Sequence, residues 1–519
     1  MSMKSHLARV VLLMGCAAGL LGYIAGRSSI LFADGLRYID QAKRLDRDTN
    51  PDNLFRSIDH PAYPLAIAGA HRLIGGTGPE SWQVAAQAAS VAAGVLLVVP
   101  LYLIALEMFG AASAWLAVFL TFLVPLTGQV MADTLSESWF LLFWSWGVWC
   151  GLRFLREGTF GWLPTTTIFA ALAYWVRPEG VLLPVAMVAT LAAVPLLRST
   201  RMNWPRWWAA VAFLVIGPAC LVAPIVAMKG GLATKPAVAR LMGATAKSAP
   251  TAVERQKPLD PDQTETQTWV LAVRAMAISV RDAVTIPLLP FALLGLIFAW
   301  PPGVRARPWV FLGTIMVAWC LALVRLHATS GYCTPRHAMI LAFPLIASAA
   351  FGLTRLFETL AIPGRWLGLD DVKYTAGPLV RLLALGGLIW SNSGEIREPL
   401  NQRFAGYRGA AEYLKANVPE GEKIVDVTGY SQFYGERPGY TYADLVAAKA
   451  DKSIRRLVVR DAHLVGSWWY CDEIRILVGD RKPVATFPEN PKPKQPVILV
   501  YDWSDKAVET ARAKSAELR

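Results

Sequence analysis

Long apolar runs recur along most of this chain, and they constrain its fold more than any other feature. A helix that crosses the hydrocarbon of a bilayer needs about 20 mostly apolar residues. Windows of that kind lie near residues 9–27, 82–105, 111–127, 134–152, 161–177, 180–197, 207–228, 284–301, 308–325, 338–356 and 377–392. They predict a polytopic α-helical membrane protein with about eleven transmembrane helices. A composition that is 54% hydrophobic, with a mean hydropathy of +0.38, agrees with that class.

The basic residues between these windows predict the orientation. With the N-terminus in the cytoplasm, the inward loops receive Arg153, Arg156, Arg198, Arg201, Arg206, Arg305, Arg307, Arg355, Arg365 and Lys373. This distribution matches the enrichment of Lys and Arg in cytoplasmic loops. It also explains the net charge of +13 without a nucleic-acid partner. The first apolar run lacks an A-x-A-like cleavage site, so we expect a retained helix in the bacterial inner membrane or its equivalent.

Two domains are predicted: a membrane domain over residues 1–392 and an exported domain over 393–519. Two loops of the membrane domain, 28–81 and 229–283, lie on the same outer, periplasmic side. In the first loop, helical spacing from Asp34 to Leu45 and from Tyr63 to Leu73 predicts two helices along the membrane surface. The polar second loop has the composition of either a mobile lid or a disordered connector.

From residue 405 the composition becomes that of a water-soluble domain. Helical patterns at Gly409–Ala416 and Tyr442–Ala450 alternate with strand patterns at Lys423–Val427, Arg456–Arg460 and Pro496–Tyr501. This alternation predicts an α/β domain, a small sheet with helices on its faces.

Five polar clusters interrupt the apolar sequence, and the predicted topology places all of them on the outer side. They are Asp34 with Arg37 and Tyr38; Asp59 and His60 with Tyr63; Asp133 with Glu137; Arg177; and Arg336 with His337. Carboxylates close to the membrane are costly and are usually functional or paired. Individually, Asp133 also suits an N-cap of the following helix, Glu137 a support for that helix end, and each arginine a side chain that reaches the interface.

Together these side chains have the chemistry of a site for a phosphorylated substrate. Asp34 can accept a proton from an acceptor hydroxyl. Arg177, with His60 or Arg336, can stabilise a phosphate that leaves. Asp59, Arg37, Tyr38, Glu137, Tyr63 and His337 are expected to support them.

The order of these motifs resembles that of the GT-C glycosyltransferases. The carboxylate after the first helix, the His-Pro-x-Tyr-Pro step, the acidic turn before the fourth helix and the basic residue that closes the fifth are similar to the branch of protein O-mannosyltransferases and lipid A aminoarabinose transferases. The resemblance covers roughly residues 8–350. It implies an inverting transferase that moves a hexosyl or pentosyl group from a polyprenyl-phosphate carrier to a lipid, protein or glycan acceptor at the outer face.

The resemblance also implies roles for individual residues. Asp34 corresponds to the leading acid and would be the catalytic base, with Asp133 as the second acidic position. Asp59 and His60 match the acidic–basic pair before the proline step, and Arg177 matches a basic position near the carrier phosphate. A divalent metal, Mg²⁺ or Mn²⁺, would use Asp34 and Asp133. Two departures stand out: Gly35 replaces the second of two adjacent acids, and His60 replaces the lysine of the aminoarabinose branch.

Two other functions are compatible with parts of the sequence. A transporter or flippase of lipid-linked sugars would place acids near helix midpoints and show repeat symmetry, and neither is visible. A membrane-anchored glycan-binding scaffold would use the C-terminal domain. There, Asp426, Tyr430 and Tyr434 form either a sugar-binding loop or an ordinary turn after a strand.

Overall fold

The architecture is that of a computed structural model, which describes residues 2–48, 50, 59–193, 195, 203–232, 265–299, 306–359, 377–466, 470–491, 495–504, 508 and 509. Two predictions fall wholly or partly outside these residues. The lid or connector is outside them over 233–264. So are five of the inward basic residues, Arg198, Arg201, Arg305, Arg365 and Lys373.

Among the described residues, fifteen α-helices precede the soluble domain. They are α1 (Met3–Gly26), α2 (Ala33–Arg47), α3 (Ala62–Ile74), α4 (Pro79–Phe109), α5 (Ala111–Leu123), α6 (Pro125–Ala132), α7 (Glu137–Glu157), α8 (Trp162–Val176), α9 (Leu182–Ala193), α10 (Trp204–Lys229), α11 (Glu265–Val284), α12 (Leu289–Ala299), α13 (Ala306–Ser330), α14 (Met339–Thr359) and α15 (Gly377–Arg397). Each predicted window overlaps at least one of them. By length and composition, five described helices can cross a membrane, or seven when two bent pairs are included. The total of about eleven crossings stays a prediction.

Two predicted spans are bent in the structure. The window at 111–127 is not one helix, because α5 ends at Leu123 and α6 starts at Pro125 with a bend of 70°. Proline disfavours helical backbone at the residue before it, and Val124 is extended (φ −66°, ψ 120°). The window at 284–301 follows another helix, α11, which covers residues 265–284, and the chain bends between them. Those residues were assigned to the second outer loop, and the side of the membrane on which they lie stays a prediction.

The two helices predicted in the first loop are confirmed as α2 and α3. Helix α2 buries one face, which includes Tyr38, Ile39, Ala42 and Leu45. Asp34 lies in its first turn, where the partial positive charge of a helix N-terminus favours a carboxylate. This helix start holds Asp34 immediately beyond the end of α1.

The predicted soluble α/β domain is confirmed. Its elements are α16 (Gly406–Asn417), β1 (Lys423–Asp426), α17 (Tyr430–Gly435), β2 (Gly439–Tyr440), α18 (Leu445–Ala450), β3 (Ile454–Arg460), α19 (Asp461–Val465), α20 (Cys471–Val478), β4 (Ala485–Phe487) and β5 (Ile498–Asp502). The sheet order is β2-β1-β3-β5-β4. Strand β1 runs parallel to β2 and β3, and β5 runs antiparallel to β3 and β4. Both edge strands were missed in the sequence because they are too short to show an alternating pattern.

The sheet connects the two parts of the molecule through one of its faces. Val458 and Ile498 belong to the same continuous hydrophobic cluster as the membrane helices. On the opposite face, Leu457, Val459 and Tyr501 form a separate cluster. The α/β domain is therefore packed against the rest of the chain through a shared core.

Candidate active site

Asp34 and Arg336 are brought together from positions 302 residues apart in the chain. Arg336 Nη1 lies 2.9 Å from Asp34 Oδ2, and Arg37 Nη2 lies 3.2 Å from Asp34 Oδ1. The Asp34 side chain is 25% exposed, so it is both ion-paired and accessible. The structure thus brings these sequence-predicted residues together at one place.

Arg37 connects Asp34 to a second carboxylate, that of Asp59. Its Nε lies 3.2 Å from Asp59 Oδ2. Burial alone lowers the pKa of Arg37, but Asp59 and Asp34 outweigh it and raise the pKa above its ordinary value. Asp59 is 1% exposed, and its backbone carbonyl accepts a hydrogen bond of 2.8 Å from Lys229 Nζ. Asp59 is therefore a buried support for Arg37.

On its other side, Arg336 reaches a buried carboxylate that it shares with Arg177. Glu137 Oε1 lies 2.7 Å from Arg177 Nη1 and 3.7 Å from Arg336 Nη1. Arg177 also binds Glu179, with Nη2 2.8 Å from Oε1. Buried carboxylates between guanidiniums are stable only while both partners remain. Glu137 consequently fixes the two arginines relative to each other.

These contacts form one alternating series of charges, which we call the charge series. It comprises Asp59, Arg37, Asp34, Arg336, Glu137, Arg177 and Glu179. Within it, Asp34 is partly exposed and is held between Arg37 and Arg336. An anion that reached Arg336 would compete with Asp34 for the guanidinium.

Asp133 lies outside the charge series and is surrounded by N–H donors. Its Oδ1 accepts hydrogen bonds from Thr134 N at 2.7 Å and Phe32 N at 3.1 Å, and its Oδ2 accepts one from Asn401 Nδ2 at 2.7 Å. Burial raises the pKa of Asp133, and these hydrogen bonds oppose the rise. The idea that it N-caps the next helix is wrong, since Ser136 precedes α7 and Asp133 binds the start of α2 instead.

Gly35 lies where α2 approaches the Asp133 turn. A Cβ atom at this position would lie 2.1 Å from Thr134 Oγ1 and 2.6 Å from Thr134 Cβ. No side chain fits there without movement of the turn. The absence of a second acid beside Asp34 therefore has a packing cause.

The remaining predicted residues support the site through packing and hydrogen bonds. Tyr38 Oη lies 3.1 Å from Ser136 Oγ, and Tyr63 Oη lies 2.8 Å from Ser90 Oγ. The buried His60 ring lies edge-on to the Tyr174 ring at 5.1 Å. His337 closes the turn before α14, because its Nδ1 accepts a hydrogen bond of 3.3 Å from Thr334 N.

An apolar groove of about 470 Å³ lies between α8, α9 and α10. Its lining includes Tyr174 and Gly180, which flank Arg177 in the chain, together with Val188, Leu214 and Val222. Tyr174 Oη donates to the Leu232 carbonyl at 2.9 Å and so closes one end. Tyr174 therefore links the groove to His60, the neighbour of Asp59 in the chain, and the apolar lining suits a lipid chain.

The residues do not fit a divalent metal between Asp34 and Asp133. Each carboxylate oxygen of Asp34 faces a guanidinium, and both oxygens of Asp133 accept from N–H groups. A divalent cation at Asp34 would lie beside two guanidiniums, whose positive charge disfavours it. Among the described residues, no group of three or more His, Cys, Asp or Glu side chains has the arrangement of a metal site.

Two residues of the site were given no role from the sequence. Glu179 follows Arg177 in an Arg-Pro-Glu turn, so the sequence does contain a signal for that pair. Lys229 shows only as a basic residue at the end of an apolar run. Its contact with Asp59 follows from how α10 packs.

Comparison with known proteins identifies the fold. Residues 59–221 match the family described as dolichyl-phosphate-mannose-protein mannosyltransferase, which covers less than half of the chain. A comparison with curated protein sequences finds no significant match.

Two solved proteins share the architecture. The oligosaccharyltransferase AglB from Archaeoglobus fulgidus, in complex with an inhibitory peptide and a dolichol-phosphate, has a TM-score of 0.60 at 12% identity, over 91% of this chain and 71% of that one. ArnT from Cupriavidus metallidurans has a TM-score of 0.56 at 12% identity, over 97% of this chain and 99% of that one in the apo state. With undecaprenyl phosphate bound, ArnT gives the same score and identity over 95% and 97%. The chain has the fold of these membrane proteins, and the predicted resemblance to the GT-C superfamily is confirmed.

Proposed function

We propose that this protein is a membrane glycosyltransferase that transfers a sugar from a polyprenyl-phosphate carrier to an acceptor at the outer, periplasmic face. The observation that carries the proposal is the accessible Asp34 carboxylate held between Arg37 and Arg336. An apolar groove is lined by Tyr174 and Gly180, which lie three residues before and after Arg177 in the chain. The family match at residues 59–221 and the ArnT structure with undecaprenyl phosphate support a lipid-linked donor.

The proposed reaction uses residues of this chain alone. The acceptor hydroxyl oxygen attacks C1 of the sugar, the bond from C1 to the carrier phosphate breaks, and the configuration inverts. Asp34 takes the hydroxyl proton. Arg336 stabilises the phosphate that leaves with the bonding electrons, as charge-assisted hydrogen bonds do. Glu137 and Arg177 hold Arg336 in place.

Donor binding would also activate Asp34. The carrier phosphate competes for Arg336, and each N–H group that it takes removes a stabilising partner from the Asp34 carboxylate. A carboxylate that loses a positive neighbour becomes a stronger base. The base is thus blocked by an ion pair until a donor arrives.

The groove between α8, α9 and α10 would hold the first isoprene units of the carrier. Val188→Trp fills its lining, whereas Leu221→Trp changes a residue on α10 that is exposed and outside the lining. We expect Val188→Trp to weaken binding of undecaprenyl phosphate by about tenfold or more, because the indole would displace a few CH₂ groups of the lipid from the groove. Leu221→Trp should leave the affinity unchanged. Native mass spectrometry of the purified protein with this lipid measures both.

The transfer reaction is tested with Asp34→Asn and a matched change on the same helix. Asp40→Asn also removes one carboxylate charge from α2, but Asp40 is paired only with Arg44 among the contacts that the structure describes. In a deletion strain, wild type and Asp40→Asn should restore a sugar-modified envelope lipid, protein or glycan that Asp34→Asn fails to restore. Mass spectrometry of envelope material detects it. Full restoration by Asp34→Asn contradicts the assignment of the base.

The alternative functions find less support in the geometry. Asp34, Asp133 and Glu137 lie at helix ends and not at the midpoints that a transporter would use. The sugar-binding loop predicted in the α/β domain is wrong, since Asp426, Tyr430 and Tyr434 are all buried. Asp426 accepts from the backbone of Thr428 and Ser431, as expected for a turn after a strand.

A further inference from the structure

The segment that leads into Asp34 has four consecutive residues whose backbone is bound by side chains. Arg408 Nε donates to the Ser29 carbonyl, and Asn401 Nδ2 donates to the Ile30 carbonyl at 3.0 Å. Leu31 N donates to Tyr434 Oη at 3.0 Å, and Phe32 N donates to Asp133 Oδ1 at 3.1 Å. We call residues 29–32 the leader segment. Buried backbone groups without secondary structure need such partners.

Three of these four partners come from the chain after residue 397, whereas the leader segment belongs to the membrane domain. Asn401 precedes α16, Arg408 lies within it, and Tyr434 lies in α17. Without this part of the chain, the Ser29 and Ile30 carbonyls and the Leu31 N–H lose the partners described here. Ser28 Oγ still donates to the Ile30 carbonyl at 3.0 Å, so the Ser29 carbonyl and the Leu31 N–H depend most on this part of the chain.

The same three side chains are also bound to the membrane helices. Tyr434 Oη donates to Gln83 Oε1 at 2.7 Å, and Arg408 Nη2 donates to that oxygen at 3.0 Å. Asn401 Nδ2 donates to Asp133 Oδ2 at 2.7 Å. Each side chain therefore holds the leader segment relative to α4 or to the Asp133 turn.

The backbone conformation of Asn401 also suits its role. Its backbone is left-handed (φ 54°, ψ 22°), which Asn tolerates better than most residues. That conformation is compatible with an amide that reaches both Ile30 and Asp133. Replacement by Gly keeps the left-handed backbone conformation accessible and removes the side-chain amide. It therefore separates the effect of the hydrogen bonds from that of the backbone conformation.

We propose that Asn401, Arg408 and Tyr434 are positioning residues through which the C-terminal part of the chain fixes the leader segment and so aims Asp34. The inference deepens the proposed transfer reaction, and its catalytic half rests on that proposal. Its structural half stands on contacts alone. The C-terminal domain then acts as part of the active-site framework and not as a separate binding module.

Hydrogen–deuterium exchange of the full-length protein in detergent tests the structural half. Tyr434→Phe removes one hydroxyl, and Asn401→Gly removes one amide. We expect exchange in peptides that cover residues 28–38 to rise about fivefold in both variants, as for the loss of one hydrogen bond. Tyr440→Phe is the matched control, because its hydroxyl binds Asp451 within the same domain and should leave these peptides unchanged. Unchanged exchange in both test variants overturns the proposal.

Steady-state kinetics of the same variants test the catalytic half. A misaimed base lowers kcat and leaves KM for the lipid-linked donor near that of the wild type. We expect kcat to fall about tenfold or more in Tyr434→Phe and Asn401→Gly but not in Tyr440→Phe. Faster exchange at residues 28–38 with full kcat overturns the link to Asp34. If the wild type shows no transfer, the proposed function fails while the exchange result still decides whether the leader segment is held.

Discussion

Asp34 and Asp133 lie on either side of the same helix start, yet their surroundings differ in kind. Asp34 is partly exposed and faces two guanidiniums, whereas Asp133 is buried and faces backbone N–H groups and an amide. In the first arrangement, a bound phosphate can compete for the guanidiniums and free the Asp34 carboxylate. The second ties three chain segments together. Similar acidic signals in the sequence thus correspond to a proposed base and to a structural hub.

The largest expected effect separates these two acids. Asp34→Asn should lower kcat by about 10²- to 10⁴-fold, the usual contribution of a general base, with little change in thermal stability. Asp133→Asn should instead lower the thermal unfolding midpoint, because an amide places an N–H group among donors. Transfer assays and thermal unfolding of both variants in detergent measure the contrast. Equal loss of transfer with equal stability would remove the distinction.

A second test probes how far the charge series depends on its buried member. Glu137→Gln leaves Arg177 and Arg336 with one carboxylate fewer between them. We expect a loss of about 3–5 kcal/mol in the free energy of unfolding, as for other buried ion pairs with one partner removed. Glu80→Gln is a fair control, since Glu80 is exposed and binds Arg408 at the surface. A stable Glu137→Gln variant would mean that Glu179 alone satisfies Arg177.

A third, smaller effect is expected at Gly35, where the start of α2 contacts the turn that contains Asp133 and Thr134. Gly35→Ala should cost about 3 kcal/mol because the new methyl group overlaps Thr134. Thr134→Gly in the same chain should recover part of that loss, because it removes both overlapping side-chain atoms. Thermal unfolding of the two single variants and the double variant measures the coupling. Additive losses would show that the overlap is relieved elsewhere.

The pH dependence of stability tests the environment of Asp133, but the contribution of His463 in the α/β domain has to be separated first. Burial lowers the pKa of His463 to about 4 from the ordinary 6.5. The unfolded chain therefore binds more protons between these values, and stability falls as pH falls through that window. The expected loss is about 2 kcal/mol at pH 5 relative to pH 8.

His463→Asn should remove the part of the loss that His463 causes, since an amide oxygen can still accept from Arg460 N and does not titrate. In that background, Asp133 should show the opposite sign. Its raised pKa means that the folded state holds its proton more tightly, so its contribution to stability decreases as pH rises through its titration. Thermal unfolding from pH 4 to pH 8 measures both. A His463→Asn protein that loses as much stability at pH 5 as the wild type would contradict the assignment to His463.

Much of the fold was predictable because it depends on local patterns. The apolar windows, the helices α2 and α3, and strands β1, β3 and β5 follow from periodicity over a few residues. The bends at Val124 and Thr285 were missed, although Pro125 marks the first of them. Short edge strands and the helix α17 carry too few residues for a periodic signal.

The candidate site was predictable as a set of residues but not as a set of contacts. Asp34, Arg177 and Arg336 stood out because charges are costly beside apolar runs. That Arg336 pairs with Asp34, and that Asp133 binds Phe32 and Asn401 instead of a metal, could not be inferred from spacing. Asn401 carries no local signal at all.

By itself the sequence determined the class of protein, the placement of polar residues at helix ends and the change to a soluble domain, because hydrophobicity and periodicity are properties of short segments. Only the tertiary structure decided which charges pair and why no acid fits at Gly35. It also decided that the leader segment depends on residues 371 to 403 positions away. Ion pairs and hydrogen bonds require atoms to meet within about 3 Å, and that proximity arises only when the whole chain has packed.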